Sequence, residues 1–388
     1  MPSTVPEHAS IVVIGGGVIG ASIAFHLADS GIKDVVLLER DELASGSTSK
    51  AAGGIRASFS NSANIEMGLR GLDVYSRFFD QYQQPIDFER NGYLYLLSDQ
   101  ANVDVFTESV ALQNSYGISS SMIEPEQAHK LSPLVCPDGL LAASWSPCDG
   151  KATPESVVMG YAAAARRAGA IIVRHCAVLD IESNGGAITA VITEHGSIAT
   201  TQVVCAAGAW SRAIGDMVGV DIPVTPVRRQ IAFTEAIADL PAHLPSLTID
   251  FPSTFYFHPE GRGLALGWSD PEEQDGFNLT FELERWLAGV GSVAATRAPS
   301  ILDYGIKSGW AGLYEVTPDS NQIIDRSDTV DGLFIATGYS GHGFLMGPAT
   351  GEIVRDLVLE RTPDIDISSF RLSRFESSNH ARGEVNIV

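Results

Sequence analysis

The chain has 388 residues, which is enough for two or three domains and a sizeable core. Its formal net charge of -22 argues against binding to nucleic acid or to an anionic membrane, because both would repel an acidic protein. The four cysteines, Cys136, Cys148, Cys176 and Cys205, show neither a C-x-x-C pattern nor zinc-ligand spacing. We therefore expect reduced thiols, no metal site and a cytoplasmic location, since no targeting segment or membrane span is recognised.

The stretch from residue 10 to residue 40 has the pattern of a dinucleotide-binding unit. The apolar run IVVI predicts a buried strand and is followed by Gly15, Gly17 and Gly20 in the spacing G-x-G-x-x-G. A helical apolar pattern then runs to Gly31, and a second apolar run, VVLL, ends at Glu39. In such a unit the glycines permit a tight turn, close approach of a pyrophosphate and helix–strand packing, while the acid binds a ribose diol.

Two other interpretations of this stretch exist. The glycines could simply punctuate a loop, or the apolar residues could form a membrane span or a signal sequence. The order of strand, glycine loop, helix, strand and acid favours dinucleotide binding over the first. His26, the repeated glycines and the lack of a basic leader or small-residue cleavage site argue against the second.

The rest of the chain alternates between helical and strand patterns. After Glu39 comes a stretch rich in Gly, Ser and Ala, which suits backbone packed against a flat ligand. Helices are predicted over residues 64–81, 102–116, 125–131, 281–295 and 348–359, and from Pro154, with Thr153 as its cap, to Gly169. Strands are predicted over residues 93–97, 140–145, 171–174, 178–182, 187–193, 202–207 and 332–337, with further alternating strands between 223 and 267.

The strand at 202–207 returns the chain to a buried parallel sheet after the intervening elements. We therefore predict an α/β fold whose dinucleotide domain is assembled from residues 1–90, 150–220 and 320–388. A mixed or antiparallel substrate domain, from residues 91–149 and 221–319, is inserted between these pieces. No linker is evident, so the ligand pocket is expected at the interface between the two domains.

Five segments together resemble the D-amino-acid-oxidase superfamily of FAD enzymes: VVIGGGVIG…LLER, GSTSKAAGGIRASF, VVCAAGAWS, WAGLYEVTPDSNQII and GLFIATGYSGHGF. The resemblance extends over nearly the whole chain. It is strongest to the sarcosine oxidase and glycine oxidase branch, and within it to proteins of the sarcosine oxidase beta-subunit type. It implies a Rossmann-like FAD domain of the glutathione-reductase type, with the adenosine end of FAD at the glycine motif.

The resemblance also implies which residues surround FAD. Residues 45–55 would line one edge of the flavin ring, and residues 341–344 would lie near its pyrimidine side, where a helix beginning near Gly347 and Pro348 could supply a positive dipole. The implied FAD residues are Gly15, Gly17, Val18, Ile19, Gly20, Glu39, Arg40, Ser47, Thr48, Ala52, Gly53, Gly54, Val178, Ala207, Gly208, Trp210, Gly312, Gly338, Gly341, His342, Gly343, Phe344 and Leu345.

The chemistry implied by the resemblance is oxidation of the C–N bond of a small amino acid or secondary amine, such as an N-methyl or cyclic amino acid. Hydride passes to flavin N5 and the imine product hydrolyses. Arg56 matches an arginine that grips a substrate carboxylate, although it could be a surface residue or a neighbour of the flavin phosphates. Tyr256 matches a pocket tyrosine but could equally be core. His342 could act through its side chain, or its neighbouring glycines could do the work.

Four departures from that branch set this chain apart. Leu345 stands where the related enzymes have a lysine that shares the carboxylate, so Arg56 would act alone or with another partner. Gly312 stands where they have the cysteine that tethers their flavin, so FAD should be noncovalent. A lysine linked to oxygen activation falls near Gln274, and Pro154 replaces a histidine that tethers a second flavin. The resemblance thus implies an enzyme with its own substrate and electron acceptor.

Several functions remain open at this stage. The chain could be an oxidase or dehydrogenase that uses oxygen or another acceptor, or an electron-transferring subunit that requires partner subunits. It could also be a flavin-binding protein without turnover, and it could form a homo-oligomer. An NAD-dependent dehydrogenase is a distant alternative, because GLFIATGYSGHGF would have no role there.

Overall fold

The computed structural model describes residues 5–376 and 383–386. The strands are β1 (Ile11–Ile14), β2 (Val35–Leu38), β3 (Gly54–Ile55), β4 (Tyr93–Leu97), β5 (Ser121–Ile123), β6 (Ala142–Ser146), β7 (Gly150–Lys151), β8 (Ile171–Val173), β9 (Val178–Asn184), β10 (Ala187–Thr193), β11 (Gly196–Ala199), β12 (Val203–Cys205), β13 (Thr225–Thr234), β14 (Leu247–Asp250), β15 (Phe255–Glu260), β16 (Gly263–Trp268), β17 (Ile306–Val316), β18 (Ile323–Arg326) and β19 (Leu333–Thr337). The α-helices are α1 (Val18–Asp29), α2 (Ser62–Ser76), α3 (Phe78–Tyr82), α4 (Gln100–Ser115), α5 (Pro125–Leu131), α6 (Pro154–Arg167), α7 (Ser211–Asp216), α8 (Leu283–Arg297) and α9 (Gly343–Val358).

A six-stranded sheet in the order β18-β19-β12-β1-β2-β8 organises the first half of the fold. Its strands pair in parallel except β18, which is antiparallel to β19. One face packs against α1, α6 and α9, and the other packs against the three-stranded sheet β11-β10-β9. Burial on both faces explains why the central strands are continuous apolar runs such as IVVI. The α/β class predicted from the sequence is confirmed.

An eight-stranded sheet, β17-β13-β16-β15-β14-β4-β6-β5, forms the second half. It is antiparallel apart from the parallel pair β14 and β4, so it is a mixed sheet. Leu94 and Leu96 of β4 pack with α8 on one face, while Tyr93 and Tyr95 point to the other face, as the period of a strand requires. That second face forms a wall of the cavity described below. All these strands lie within residues 91–149 and 221–319, but the exact domain boundaries stay a prediction.

The last long helix differs from its sequence prediction. It begins at Gly343, with His342 as its N-cap residue, and Pro348 lies inside it. A proline there cannot donate to the carbonyl of Phe344, four residues earlier. The hydroxyl of Tyr75 donates to that carbonyl instead, at 2.6 Å, so the proline leaves no buried acceptor unpaired. The predicted helix start at Gly347–Pro348 is therefore wrong, and the positive end of the helix lies at Gly343.

Two smaller predictions also need correction. The helix predicted over residues 64–81 is broken at Arg77 into α2 and α3. Thr153 precedes α6 as predicted, but its hydroxyl donates to Asp87 at 3.0 Å instead of capping the helix. Within residues 5–376, no helix combines the length and the apolar character that a bilayer crossing would need.

Candidate functional site

A cavity of about 780 Å³ runs between the six-stranded sheet and the aromatic face of the eight-stranded sheet. At one end it begins beside Glu39, where β2 ends, and it passes the glycine turn at Gly15. It then follows the small-residue stretch 45–54 and reaches the start of α9 at Gly343. Ligands of α/β sheets bind at the carboxyl ends of parallel strands, which is where the first part of this cavity lies.

The first end of the cavity has the local geometry of a nucleotide site. Gly15 has a φ of +113°, and a Cβ there would lie 2.3 Å from the carbonyl oxygen of Ala206, so only glycine fits. The Glu39 carboxylate accepts from the backbone N–H groups of Gly16 at 2.7 Å and Asp41 at 2.8 Å. These bonds hold the carboxylate at the cavity wall, where its remaining lone pairs can accept from hydroxyl groups.

The small-residue stretch approaches the eight-stranded sheet closely. Thr48 begins a short 3-10 helix, and its hydroxyl accepts from the N–H of Val18 at 3.2 Å, at the start of α1. The hydroxyl of Ser47 donates to the carbonyl of Leu313 at 2.7 Å. A Cβ on Gly54 would lie 1.8 Å from the hydroxyl oxygen of Tyr93, so a larger residue would disturb the wall. The stretch therefore connects the two sheets along one side of the cavity.

Two helices begin at the cavity, which matters for an anionic or polarisable ligand. The first turns of α1 and α9 carry N–H groups without intrahelical acceptors, together with partial positive charge. Gly341 has a φ of +101° and places the backbone of this turn against Tyr314. A long cavity with a glycine turn, an acid at the end of the second strand and two helix starts fits a dinucleotide that carries a second ring system.

The structure brings nearly all the predicted site residues together. Every predicted FAD residue except Gly20 and Gly338 lines the cavity, as do Arg56 and Tyr256. Gly20 packs on the carbonyl of Gly15, where a Cβ would come within 1.9 Å, which is the helix-packing role expected of the third glycine. Gly338 has a φ of +77° and faces Thr317. It therefore shapes the turn and does not line the cavity.

Arg56 is buried, with 7% of its surface exposed, and its guanidinium is already hydrogen-bonded. It donates to the carbonyl of Ser58 at 2.8 Å and to the carbonyl of Asn386 at 2.6 Å, and it stacks on the Phe59 ring at 3.8 Å. Among the described residues no carboxylate lies within salt-bridge distance of it, although its charge lowers the pKa of the buried Asp149 carboxyl and so opposes the larger upward effect of burial. The contact with Asn386 could not be foreseen from the sequence.

A second guanidinium, Arg229, was missed by the sequence analysis. It lies on β13 and lines the cavity near the ring of Tyr314, at 5.2 Å. Its Nη1 donates to the carbonyl of Arg228 at 3.0 Å, while its Nε is buried without a partner in the part of the chain that the structure describes. Arg228, by contrast, pairs with Glu273 at 3.0 Å and is not part of the cavity wall.

Four tyrosines, Tyr93, Tyr95, Tyr256 and Tyr314, line the cavity. Burial raises the pKa values of Tyr93, Tyr256 and Tyr314, and it raises the pKa of Tyr95 to about 12. These side chains are therefore neutral at physiological pH. Burial, and to a smaller extent the charge of Arg56, lowers the pKa of His342 to about 3, so this imidazole is neutral as well.

Two buried carboxyl groups near the cavity were also missed. Glu315 lines the cavity, and burial raises its pKa to about 7. Asp149 is fully buried, accepts from the N–H of Ala57 at 2.9 Å, and has its pKa raised by burial to about 6. Glu315 lies within the quoted segment WAGLYEVTPDSNQII and Asp149 lies outside all five segments, but a single acid has no spacing pattern that marks it as buried at a cavity. The described residues contain no cluster of His, Cys, Asp or Glu placed to hold a metal ion.

The positions that depart from related enzymes can now be placed. Leu345 and Gly312 line the cavity, and a Cβ on Gly312 would lie 2.5 Å from the Cβ of Lys50. Lys50 also lines the cavity, with its Nζ 5.3 Å from the centre of the Trp310 ring. Gln274 is exposed and lies outside the cavity wall. A lysine is therefore present at the cavity, although not at the position predicted from the resemblance.

Residues 10–357 match the family model of FAD-dependent oxidoreductases (DAO). The chain is 29% identical over 396 residues to mouse mitochondrial dimethylglycine dehydrogenase, covering 96% of this chain and 45% of that protein. It is also 29% identical to mouse mitochondrial sarcosine dehydrogenase, over 97% of this chain and 42% of that protein. The chain thus spans less than half the length of these two relatives.

Solved structures resemble it over nearly their whole length. L-proline dehydrogenase from P. horikoshii is 33% identical and superimposes with a TM-score of 0.89, covering 96% of this chain and 99% of that one. Glycine oxidase from Geobacillus kaustophilus is 25% identical with a TM-score of 0.84, covering 95% and 99%. The matches confirm the FAD-binding α/β fold and the sarcosine oxidase and glycine oxidase branch predicted from the motifs.

Proposed function

The chain belongs to the family of FAD-dependent oxidoreductases, and on that premise we propose that it oxidises the C–N bond of a small secondary α-amino acid. N-methyl and cyclic amino acids are the substrate types that the proposal names. The observation that carries it is the pair of guanidinium groups, Arg56 and Arg229, at the wall of a largely apolar cavity. Neither forms an ion pair among the described residues, and a buried cation is costly unless an anion joins it.

The carboxylate of the substrate supplies that anion in our proposal. Arg229 has the freer guanidinium, because its Nε has no described partner, whereas Arg56 already donates to two carbonyls. A planar fork of N–H donors suits a carboxylate geometrically. Related enzymes have a lysine where this chain has Leu345. In our proposal no cation is needed at that position. Arg229 on the opposite sheet would supply the second cation.

The remaining side chains shape a site for an uncharged amine. Bound FAD supplies the two-electron chemistry that an oxidation next to an amine nitrogen requires. Tyr93, Tyr95 and Tyr256 provide a neutral aromatic wall that excludes water and holds the aliphatic part of the substrate. Neutral His342 adds no positive charge beside the amine. Since a protonated amine has no lone pair, these residues favour the form that can be oxidised.

We also propose that FAD is bound without a covalent link. Gly312 has no side chain to attach it, and the neighbouring Lys50 packs its own Cβ against this position. The names of similar proteins support the substrate class, because dimethylglycine, sarcosine and L-proline all carry a substituted amine next to a carboxylate. Whether the acceptor is oxygen or another electron carrier is a separate proposal, tested below.

The test is anaerobic reduction of the FAD-loaded protein by a panel of amines. L-proline, sarcosine, N,N-dimethylglycine and glycine are compared with pyrrolidine and dimethylamine, which lack the carboxylate. We expect at least one secondary or N-methylated amino acid to bleach the flavin absorbance, and the amines without a carboxylate to do so far more slowly. Equal reduction by pyrrolidine and L-proline would contradict the role of the arginines. Absence of reduction by every compound would contradict the substrate class.

A further inference from the structure

Residues 383–386 lie against the start of α2 and contact Arg56, which lines the cavity. The Glu384 carboxylate accepts from the hydroxyl of Ser60 at 2.6 Å and from the backbone N–H of Ser60 at 3.0 Å. It also accepts from the side-chain amides of Asn61 at 2.8 Å and Asn64 at 3.0 Å, and from the N–H of Asn386 at 3.0 Å. Glu384 is 5% exposed, so this carboxylate is buried among donors.

The carboxylate fixes the orientation of Asn64. An ionised carboxylate only accepts hydrogen bonds, so the NH₂ group of Asn64 must face Glu384. The Oδ1 of Asn64 therefore points away, and there it accepts from the Nε2 of Gln322 at 3.0 Å. Reversing this amide would place its oxygen against the carboxylate.

Gln322 is oriented from two sides. Its NH₂ group faces the Oδ1 of Asn64 and also the sulfur of Met67, at 3.2 Å, and a thioether can only accept. Its Oε1 must then face the other way, where it lies 3.1 Å from the Nε2 of His342. An amide oxygen accepts only, so the Nε2 of His342 has to carry the proton.

His342 is neutral and therefore has a single N–H group. With the proton on Nε2, its Nδ1 is an acceptor, and this atom is buried without a partner among the described residues. The ring lies at the cavity wall and packs on Phe59, whose ring stacks on the Arg56 guanidinium. A ligand beside this imidazole would thus meet an acceptor and not a donor.

The same segment also holds Arg56. The carbonyl of Asn386 accepts from its Nη2 at 2.6 Å, while the N–H of Asn386 donates to Glu384. Glu384 is therefore connected to both groups at this end of the cavity, to His342 through two amides and to Arg56 through Asn386.

We propose that Glu384 is a positioning residue that acts through Asn64 and Gln322 to hold His342 as the Nε2–H tautomer. In that state the imidazole accepts a hydrogen bond from the N–H of the amine, while Asn386 of the same segment holds Arg56 at the cavity wall. The tautomer is a property of the chain alone, whereas its effect on turnover rests on the proposed function. The two parts can therefore fail separately.

The substitution Glu384→Gln should reverse the orientation of the amides that lead to His342. Two backbone N–H groups, from Ser60 and Asn386, point at Oε1, and backbone donors cannot reverse. The oxygen of the new amide must face them, so its NH₂ takes the place of Oε2. We expect Asn64 to turn over, giving up the bond from its NH₂ to the Oδ1 of Asn321 at 3.0 Å, and Gln322 to follow at the cost of its contact with Met67. An NH₂ group will then face the Nε2 of His342. The proton of His342 is expected to move to Nδ1.

The tautomer can be measured by long-range ¹H–¹⁵N correlation spectra of the FAD-loaded protein labelled at histidine nitrogen. The His342 resonances are identified by their loss in His342→Asn. We expect a protonated Nε2 in the parent and an interchange of the two ¹⁵N shifts in Glu384→Gln. Glu376→Gln, an exposed glutamate in the same part of the chain, should leave the spectrum unchanged. A parent with protonated Nδ1, or no change in Glu384→Gln, would overturn the proposal.

A second variant covers the case in which Glu384→Gln does not fold. Gln322→Met removes the acceptor with little change in volume, so His342 should then show a mixture of both tautomers, and retention of pure Nε2–H would contradict the proposal. With an amine that reduces the parent, Glu384→Gln should lower kcat/KM by about threefold to tenfold, as expected for one lost hydrogen bond. Unchanged kcat/KM together with interchanged shifts would refute only the amine contact.

Discussion

Glu315 carries a buried carboxyl group whose protonation should make the stability of the protein depend on pH. It lies on β17 at the cavity wall, and its Oε1 lies 3.4 Å from the N–H of Tyr339, a long hydrogen bond. Burial raises its pKa from the ordinary 4.5 to about 7. Glu315→Gln keeps the shape of the side chain but cannot ionise, so it isolates the cost of the buried charge.

The sign follows from the raised pKa. Between pH 4.5 and about 7 the unfolded chain has released this proton while the folded protein still holds it, so the free energy of unfolding falls as the pH rises. The full difference of pKa corresponds to about 3 kcal/mol, and about 2 kcal/mol of it is expected above pH 5.5. Glu315→Gln cannot ionise at this position, so its free energy of unfolding does not fall in this way. Its stability relative to the parent should therefore rise by about 2 kcal/mol from pH 5.5 to pH 8.5.

The assay is urea unfolding at several pH values in excess FAD, followed by far-UV circular dichroism. The quantity compared is the difference in the free energy of unfolding between Glu315→Gln and the parent, and only its change with pH is used. Any constant cost of burying the amide therefore cancels. Glu376→Gln serves as the matched control, because Glu376 is exposed and should show no such trend. If the difference between Glu315→Gln and the parent is the same at every pH, the carboxyl of Glu315 is not protonated in the folded protein and the reasoning is refuted.

Four further predictions concern the cofactor and the substrate. Acid precipitation should release FAD and leave a colourless pellet, whereas a yellow pellet would show a covalent link. Glu39→Ala should weaken FAD binding by roughly 1.5–3 kcal/mol for each charge-assisted hydrogen bond lost, and full retention of FAD through dialysis would remove Glu39 from the site. Arg229→Met and Arg56→Met should each keep FAD but weaken the binding of amino-acid substrates by about 2–5 kcal/mol. The control Arg262→Met, at an exposed position, should not weaken it. Normal reduction of either variant by a good substrate would exclude the arginine concerned. Oxygen should be a poor electron acceptor, because the position predicted for the oxygen-activating lysine is occupied by Gln274, which is exposed. Reoxidation of the reduced flavin by air as fast as by artificial dyes would contradict this and would point to Lys50 or an arginine in the role of that lysine.

The cofactor end of the site could be predicted because it is encoded locally. Gly15, Gly20 and Glu39 lie within one β1–α1–β2 unit, and each has a backbone or packing requirement that its residue type reveals. The start of α9 was misplaced for a similarly local reason, since proline normally marks a helix boundary. Only the long-range bond from Tyr75 to the Phe344 carbonyl makes Pro348 acceptable inside the helix.

The proposed substrate end could not be predicted in the same way. Arg228 and Arg229 are adjacent in the sequence, and alternation along a strand puts them on opposite faces without saying which one faces the cavity. That choice is made by Glu273 and Glu282, which pair with Arg228 and leave Arg229 at the cavity wall. These carboxylates are more than forty residues away in the chain, and no spacing rule connects them to β13.

Arg56 shows which contacts of a side chain the sequence does not reveal, even where it predicts that the residue lies at the cavity. An unpaired guanidinium in a cavity was expected to need an anion, and the structure gives it two carbonyl oxygens instead. Carbonyl groups satisfy N–H donors and so reduce the cost of burial, but they carry no net charge. The positive charge therefore remains available, and the bonds to Ser58 and Asn386 fix the direction in which the remaining donors point. A substrate carboxylate that binds Arg56, as we propose, would meet a side chain that is already ordered, and residues more than 300 positions apart in the chain would then contribute to one binding site.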